Sequence, residues 1–377
     1  MIIEDQWKSI DDYFCTRTKM MKFINDLFFC KDFYSELNTF ILKHYANSKK
    51  VLLIDENVYE LWGSKIDELS KYNVGTILDY SVEGKDSEED LDATRDEIIA
   101  TINEAAKNDM IPFSVFKMTG IASTSILEKS NTSIENLSEA EFKDFTAAKS
   151  RVEAICEAAY KASVPVFVDA EDSWFQDIID TLTIEMMERF NKESAIVFNT
   201  IQMYRHDRLA FLQSMEAAKA NNYFLGIKLV RGAYMEKERE VAAEKGYASP
   251  IQPDKESTDK DYNLALEYLV ENISCASLCA GTHNERSSKY LVELMATHGV
   301  DKADKRIFFA QLLGMSDHIS FNLAHAGYNV AKYVPYGPVK EVIPYLMRRA
   351  QENTSVAGQT GRELKLILHE KNRRKFN

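Results

Sequence analysis

Between residues 75 and 335 the chain alternates short, apolar, β-rich runs with longer stretches in which apolar residues recur every three or four positions. The runs lie at 75–80, 113–118, 164–169, 195–202, 224–230, 276–282, 307–312 and 329–335. Stretches between them, such as 172–191 and 207–221, carry helical spacing. Strands that read as nearly continuous apolar runs suit a parallel sheet buried on both faces, and parallel neighbours need a crossover long enough to hold a helix. Eight such units predict a single closed (βα)8 barrel of the TIM type, with a doubly wound open sheet as the competing arrangement.

Residues 1–74 do not join the alternation. They read as helical, best at 34–45 and 59–72, and are expected to pack on the barrel rather than form a free domain. The barrel is expected to span 75–361 and a basic tail 362–377. Polar residues 122–146 predict a helical insertion between the second and third strands, and the acidic stretch 86–92 a solvated helix start.

Composition narrows the function classes. A formal net charge of −13 argues against nucleic acid as a partner, because phosphate binding needs excess positive charge. The 5 cysteines are odd in number and irregularly spaced, which suits a reducing compartment rather than a disulfide framework. Cys275, Cys279 and His283 lie along one predicted strand, where four residues span roughly 13 Å, too far for neighbouring ligands of one zinc ion. The N-terminus has neither an apolar signal core nor the Arg-rich, acid-poor character of an organelle presequence, and no run of 18 apolar residues occurs; a cytoplasmic protein, at most peripheral to a membrane, is expected.

In such barrels the working residues sit at the C-terminal ends of the strands. Those ends carry Lys117, then Asp169 with Glu171, Gln202 with Tyr204, Arg231 with Tyr234, Thr282-His283-Asn284, Gln311, and Tyr333. A charge after one strand is usually solvated loop; polar groups at nearly every strand end are not accidental. Phe113, Val115 and Lys117 share a strand face, as do Phe167 and Asp169, so inward-pointing faces would bring Lys117 and Asp169 together at the mouth. That pair reads either as catalytic or as a structural ion pair closing the barrel top.

The stretch 339–353 predicts the most informative helix. At about 100° per residue, Tyr345, Arg348, Arg349 and Glu352 fall within one arc, beside an apolar stripe of Val339, Val342, Ile343, Leu346 and Ala350. Adjacent arginines can grip a carboxylate or phosphate in fixed fork geometry, or simply form surface bridges with Glu352. No GxGxxG follows an early strand, and neither a GxxxxGK[ST] nor a GxSxG motif occurs, which leaves a Rossmann dinucleotide fold, a P-loop nucleotidase and a serine hydrolase unsupported.

Several segments resemble proline dehydrogenases: Ile77-Leu-Asp-Tyr-Ser-Val-Glu-Gly84, Val168-Asp-Ala-Glu171, Lys228-Leu-Val-Arg-Gly-Ala-Tyr-Met235, Gly281-Thr-His-Asn284, Gln311-Leu-Leu-Gly-Met315, Tyr333-Val-Pro-Tyr-Gly337 and Tyr345-Leu-Met-Arg-Arg-Ala-Gln-Glu-Asn353. The similarity runs through about residues 75–361, is specific in the joint order of its motifs, and is nearest to the single-function, mitochondrial-type branch, with no room in this length for an added aldehyde dehydrogenase domain.

The resemblance implies a distorted (βα)8 barrel binding FAD non-covalently, with its last helix over the mouth. It implies oxidation of L-proline to Δ1-pyrroline-5-carboxylate by hydride transfer to flavin N5, with electrons passed to a membrane quinone. By the same resemblance Arg348, Arg349 and Lys117 bind the substrate carboxylate, Glu352 orients the arginines, and Asp169 belongs to a polar network around flavin and substrate amine. Tyr333 and Tyr345 wall the proline ring, Leu229 and Tyr234 complete the pocket, and Gln202, Lys228, Arg231, Gly232, Thr282, His283 and Asn284 match flavin-contacting positions. Some relatives carry Arg at the position of Lys228 and Trp at that of Met235, two departures of this chain at flavin-facing positions. The tail from Leu364 to Phe376, with Lys371, Arg373, Arg374 and Lys375, reads as an ordinary helix end or as a contact for an anionic membrane, the first being favoured.

Overall fold

The computed structural model describes residues 66–215, 222–337, 342 and 372. Within them the strands are β1 (Val74–Tyr80), β2 (Phe113–Phe116), β3 (Val166–Val168), β4 (Val197–Gln202), β5 (Leu225–Val230), β6 (Ala276–Gly281), β7 (Ile307–Leu312) and β8 (Val330–Tyr336). Each of the eight expected runs contains or overlaps its strand. All neighbours pair in parallel, in chain order, and β8 returns to β1 with Val74 opposite Val330 and Tyr80 opposite Tyr336. That closing pair excludes the open sheet.

The helices are α1 (Glu88–Ala105), α2 (Thr124–Thr132), α3 (Glu139–Ala162), α4 (Ser173–Phe190), α5 (Arg208–Ser214), α6 (Met235–Lys245), α7 (Lys255–Glu271), α8 (Glu285–Thr297) and α9 (Asp317–His325). Several start where a short polar side chain satisfies a first-turn N–H. Ser87 accepts from the Asp90 amide, Asp254 from Ser257, and Ser138 forms a reciprocal capping box with Glu141. The insertion expected at 122–146 is α2, a 3-10 turn at Ile134–Asn136 and the start of α3. The acidic stretch does more than meet solvent: Glu88 and Asp92, on the first turns of α1, both pair with the buried Arg151 of α3, Asp92 at 2.7 Å.

Strand alternation divides the core into two layers. Ile77, Phe113, Val115, Phe167, Phe198, Cys279, Ala310, Ala331 and Tyr333 fill the barrel interior, while residues such as Leu78, Val168, Ile201, Leu229 and Val334 pack with the helices outside. Phe113 is the centre of the interior plug: it stacks on Phe167 at 4.4 Å and meets Phe198 and Phe308 edge-on at 5.6 and 4.8 Å. Phe113, Phe167 and Phe198 are all buried, an aromatic floor beneath the mouth. No helix among the described residues is long and apolar enough to cross a membrane.

Candidate active site

Lys117 is one residue past β2 and Asp169 one past β3, both on the inward register set by Val115 and Phe167. The two meet, as alternation required. The Lys117 ammonium lies 3.5 Å from Asp169 Oδ2 and 3.2 Å from Asp79 Oδ1, with Glu83 Oε1 at 4.0 Å. Lys228 of β5 donates to Asp169 Oδ1 and to the Tyr333 hydroxyl, the latter at 2.5 Å. The Tyr333 hydroxyl is in turn 3.5 Å from Asp169 Oδ1, and its ring lies parallel to that of Phe167. The Lys228 ammonium is also 4.6 Å from the centre of the Tyr333 ring, within cation–π range. Four strands thus deliver two ammonium groups, a shared carboxylate and a phenol onto the aromatic floor.

Asp79 is the residue that sequence reasoning missed. It is buried and is a close partner of Lys117. Alternation from Ile77, which faces the interior, would have placed it at the mouth.

Glu171 lies behind this cluster. Thr119 donates to it twice, from its amide to Oε1 at 3.0 Å and from its hydroxyl to Oε2 at 2.5 Å. Gln202 donates to the Glu171 carbonyl at 2.7 Å, which accounts for Gln202 through the backbone of the β3–α4 turn. Burial pushes the Glu171 carboxyl up to about 7; the nearby Glu83 charge adds to this, and the Thr119 hydrogen bonds and Lys117 oppose it. A carboxyl raised in the fold makes the native state hold an extra proton between about pH 4.5 and 7. Stability should therefore fall as pH rises through that window, by at most about 3 kcal/mol, and Glu171→Gln should flatten this contribution. Urea unfolding of both proteins at pH 5 and pH 8 checks this; identical pH dependence in the two would remove Glu171 as its source.

On the β5–β6 side the strand ends form a second cluster. Arg231 donates from Nε to Asp259 Oδ1 at 2.7 Å and from its two terminal nitrogens to the hydroxyls of Thr282 and Ser287 at 2.6 and 2.9 Å, with its guanidinium over the Tyr262 ring. Asn284 uses its side-chain oxygen to cap α8, accepting from the Arg286 and Ser287 amides. His283 Nδ1 is 3.0 Å from the Ser316 hydroxyl. Gln311 donates to the Thr282 carbonyl and accepts from Ser320. Gly232 has φ +130° and lies against the Tyr204 ring, where an added Cβ would come within 2.5 Å; only glycine fits there.

Other expected residues divide. Tyr234 stands at the N-cap of α6, partly buried. Leu229 is not brought to the mouth: it alternates out of phase with Lys228 and is fully buried in the layer between sheet and helices. A pocket role for it is corrected by the pleat of β5. Tyr345, Arg348, Arg349 and Glu352, nearly all of the last helix expected over the mouth, the helix expected at 34–45, the first half of the one expected at 59–72 and nearly all of the tail lie outside the described residues; in the second half of 59–72, residues 66–70 are helical.

A family model described as proline dehydrogenase matches residues 63–362. The chain is 34% identical over 354 residues to mitochondrial proline dehydrogenase 1 of Dictyostelium discoideum, covering 82% of this chain and 62% of that protein. It is 39% identical over 258 residues to hydroxyproline dehydrogenase of Xenopus laevis, covering 67% and 55%. The chain thus spans between about half and two thirds of the length of these relatives. Among solved structures, proline utilization A of Bdellovibrio bacteriovorus, inactivated by N-propargylglycine, superposes with a TM-score of 0.72 over 90% of this chain and 37% of that one, at 20% identity.

Proposed function

The chain belongs to the proline dehydrogenase family, and on that premise we propose that it oxidises L-proline to Δ1-pyrroline-5-carboxylate with bound FAD, as a first step of proline catabolism. The observation that carries this reading is the convergence of Lys117, Asp169, Lys228 and Tyr333 at the barrel mouth. Removing hydride from a saturated C–N bond needs a two-electron acceptor that no side chain supplies, so a cofactor must be held here.

The residues present suit a flavin. Lys228, Arg231, Thr282 and His283 set cations and hydrogen-bonding groups along adjacent strand ends β5 and β6, and Gly232 lets the backbone approach without a Cβ. When bound, FAD would supply the two-electron acceptor for the hydride of proline C5. Everything else falls to the chain. Among the described residues, Asp79, Glu83 and Asp169 face Lys117 and Lys228, three carboxylates against two ammonium groups. Such a mouth attracts the substrate's amine but would repel its carboxylate. The Arg348–Arg349 pair supplies the missing positive charge in this proposal, with Lys117, and Glu352 orients the arginines. A clamped carboxylate decides which ring carbon faces the acceptor, and that is the orientational part of the rate. Tyr333 and Tyr345 hold the ring between them. We assign a membrane quinone as the final electron acceptor, by family resemblance.

The similarity to hydroxyproline dehydrogenase favours one alternative, oxidation of 4-hydroxyproline at the same site. An anaerobic absorbance spectrum of the purified protein, before and after each imino acid, tests both. Bleaching of a flavin band by proline, with a higher kcat/KM for it than for hydroxyproline, is the expected result. A yellow protein that proline leaves unchanged would overturn the substrate, and a colourless one that stays inert with added FAD would overturn the reading.

A further inference from the structure

Lys332 is a buried cation that the proposed reaction does not use. It sits on β8 next to Tyr333 but points the other way, into the layer between the sheet and α9, and is 0% exposed. Its ammonium donates to the Met315 carbonyl at 2.5 Å and lies 3.4 Å from the Leu312 carbonyl and 2.8 Å from Asp317 Oδ1. These partners run from the last residue of β7 through the turn to the first residue of α9.

Stability alone is a poor reason for such a residue. Desolvating an ammonium is costly, and an apolar side chain of similar volume is often as good or better in a buried position. What a cation does there is hold carbonyls in one orientation. Met315 precedes Ser316, a non-glycine residue in the left-handed region at φ 51°, ψ 41°. That conformation costs a residue with a Cβ about 1 kcal/mol or more and persists only where its surroundings enforce it. Turning the Met315 carbonyl onto Lys332 orients the peptide that enters Ser316. The Ser316 hydroxyl then meets His283 Nδ1 at 3.0 Å, one strand end away. A hydroxyl can donate to Nδ1 or accept from it, so the contact fixes the plane of the ring with either tautomer.

We propose that Lys332 is a positioning residue: through the Met315 carbonyl and the strained Ser316 it sets the His283 ring for the flavin. The His283 part of this rests on the cofactor reading above; the Lys332–Ser316–His283 linkage does not. Lys332 is thus one of two neighbouring β8 side chains that serve the site from opposite faces of the sheet, Tyr333 from inside the barrel and Lys332 from outside it.

Two readouts on the full chain separate the linkage from the cofactor reading. The first is NMR of the histidine rings with labelled imidazole, the His283 signal being identified by its loss in His283→Gln. One set of ring signals is expected in the parent protein, and a shifted or averaged ring in both Lys332→Met and Ser316→Ala. An unchanged ring in folded Lys332→Met would overturn the proposal. The second is titration with FAD. Lys332→Met and Ser316→Ala should each weaken FAD binding about tenfold, the scale of one lost hydrogen bond, and the double variant should be no weaker than the worse single one. Effects that multiply in the double variant, or FAD binding unchanged beside a shifted ring, would overturn it. If the parent protein binds no FAD, the cofactor reading fails, while the NMR result still decides the linkage. Should Lys332→Met not fold, Lys332→Leu, which also removes the donor to the Met315 carbonyl, takes its place in both measurements with the same outcomes.

Discussion

Replacing Asp169 with alanine is expected to lower kcat/KM for L-proline by about a hundredfold or more, the scale on which removing one preorganised charged group acts. Asp169 is the group on which the mouth turns: it faces Lys117 with one oxygen and Lys228 and Tyr333 with the other. Without it Lys117 keeps Asp79, whereas among the described contacts Lys228 keeps the Tyr333 hydroxyl and the Tyr333 and Phe167 rings but no carboxylate. A buried ammonium that loses its carboxylate moves, and the phenol it held loses its place. Asp169→Asn retains the shape and removes the charge. If the two variants lose activity equally, the charge is what matters. Steady-state kinetics with flavin content measured on the same samples checks this, since a loss explained by missing flavin is a different failure. A drop of less than about tenfold would show that the carboxylate closes the barrel top without serving the reaction.

The second large effect should be on stability alone at first sight. Asp180, on α4, is buried and collects Gln176 Nε2 at 2.9 Å, Asn199 Nδ2 at 2.9 Å and Arg208 at 2.6 Å. Asp180→Ala removes the deepest anion from Arg208 and strands two amide donors between sheet and helices. Breaking a buried pair by deleting one partner costs about 3–5 kcal/mol, more than the pair itself contributed, because the survivor stays desolvated. Arg208 retains Asp207, at 2.6 Å, so the lower part of that range is expected. Urea denaturation gives the number directly. A loss under about 1 kcal/mol would mean that water fills the gap and satisfies the donors. The effect should also reach the mouth, because Gln176 Oε1 accepts from the Glu171 amide at 2.7 Å and so fixes the turn that carries Asp169. A raised KM in a protein still folded at assay temperature is the sign of that link.

These two residues mark how far the chain could be read. Asp169 was legible because its signal is local: it shares strand parity with Phe167, and two-residue alternation says which side it faces. The same rule would have found Asp79 from Ile77. Leu229 went wrong for the same reason, since a motif places it in a pocket but parity with Ile227 turns it outward. Asp180 was not legible. On paper it is a charge in an amphipathic helix, and only the packing of β4 and α5 against α4 decides that it meets Asn199 and Arg208 rather than water.

By itself the sequence determined the periodicities, and through them eight strands, their helical crossovers, the inward face of each strand and the polar groups at the strand ends. Those follow from backbone geometry acting over a few residues. The tertiary structure alone decided which distant groups share a site and which of them lose their water. Closure pairs β1 with β8 across the whole barrel, the outer helices bury Lys332, and burial raises Glu171. Desolvation depends on everything that covers a group, and no spacing along the chain records that.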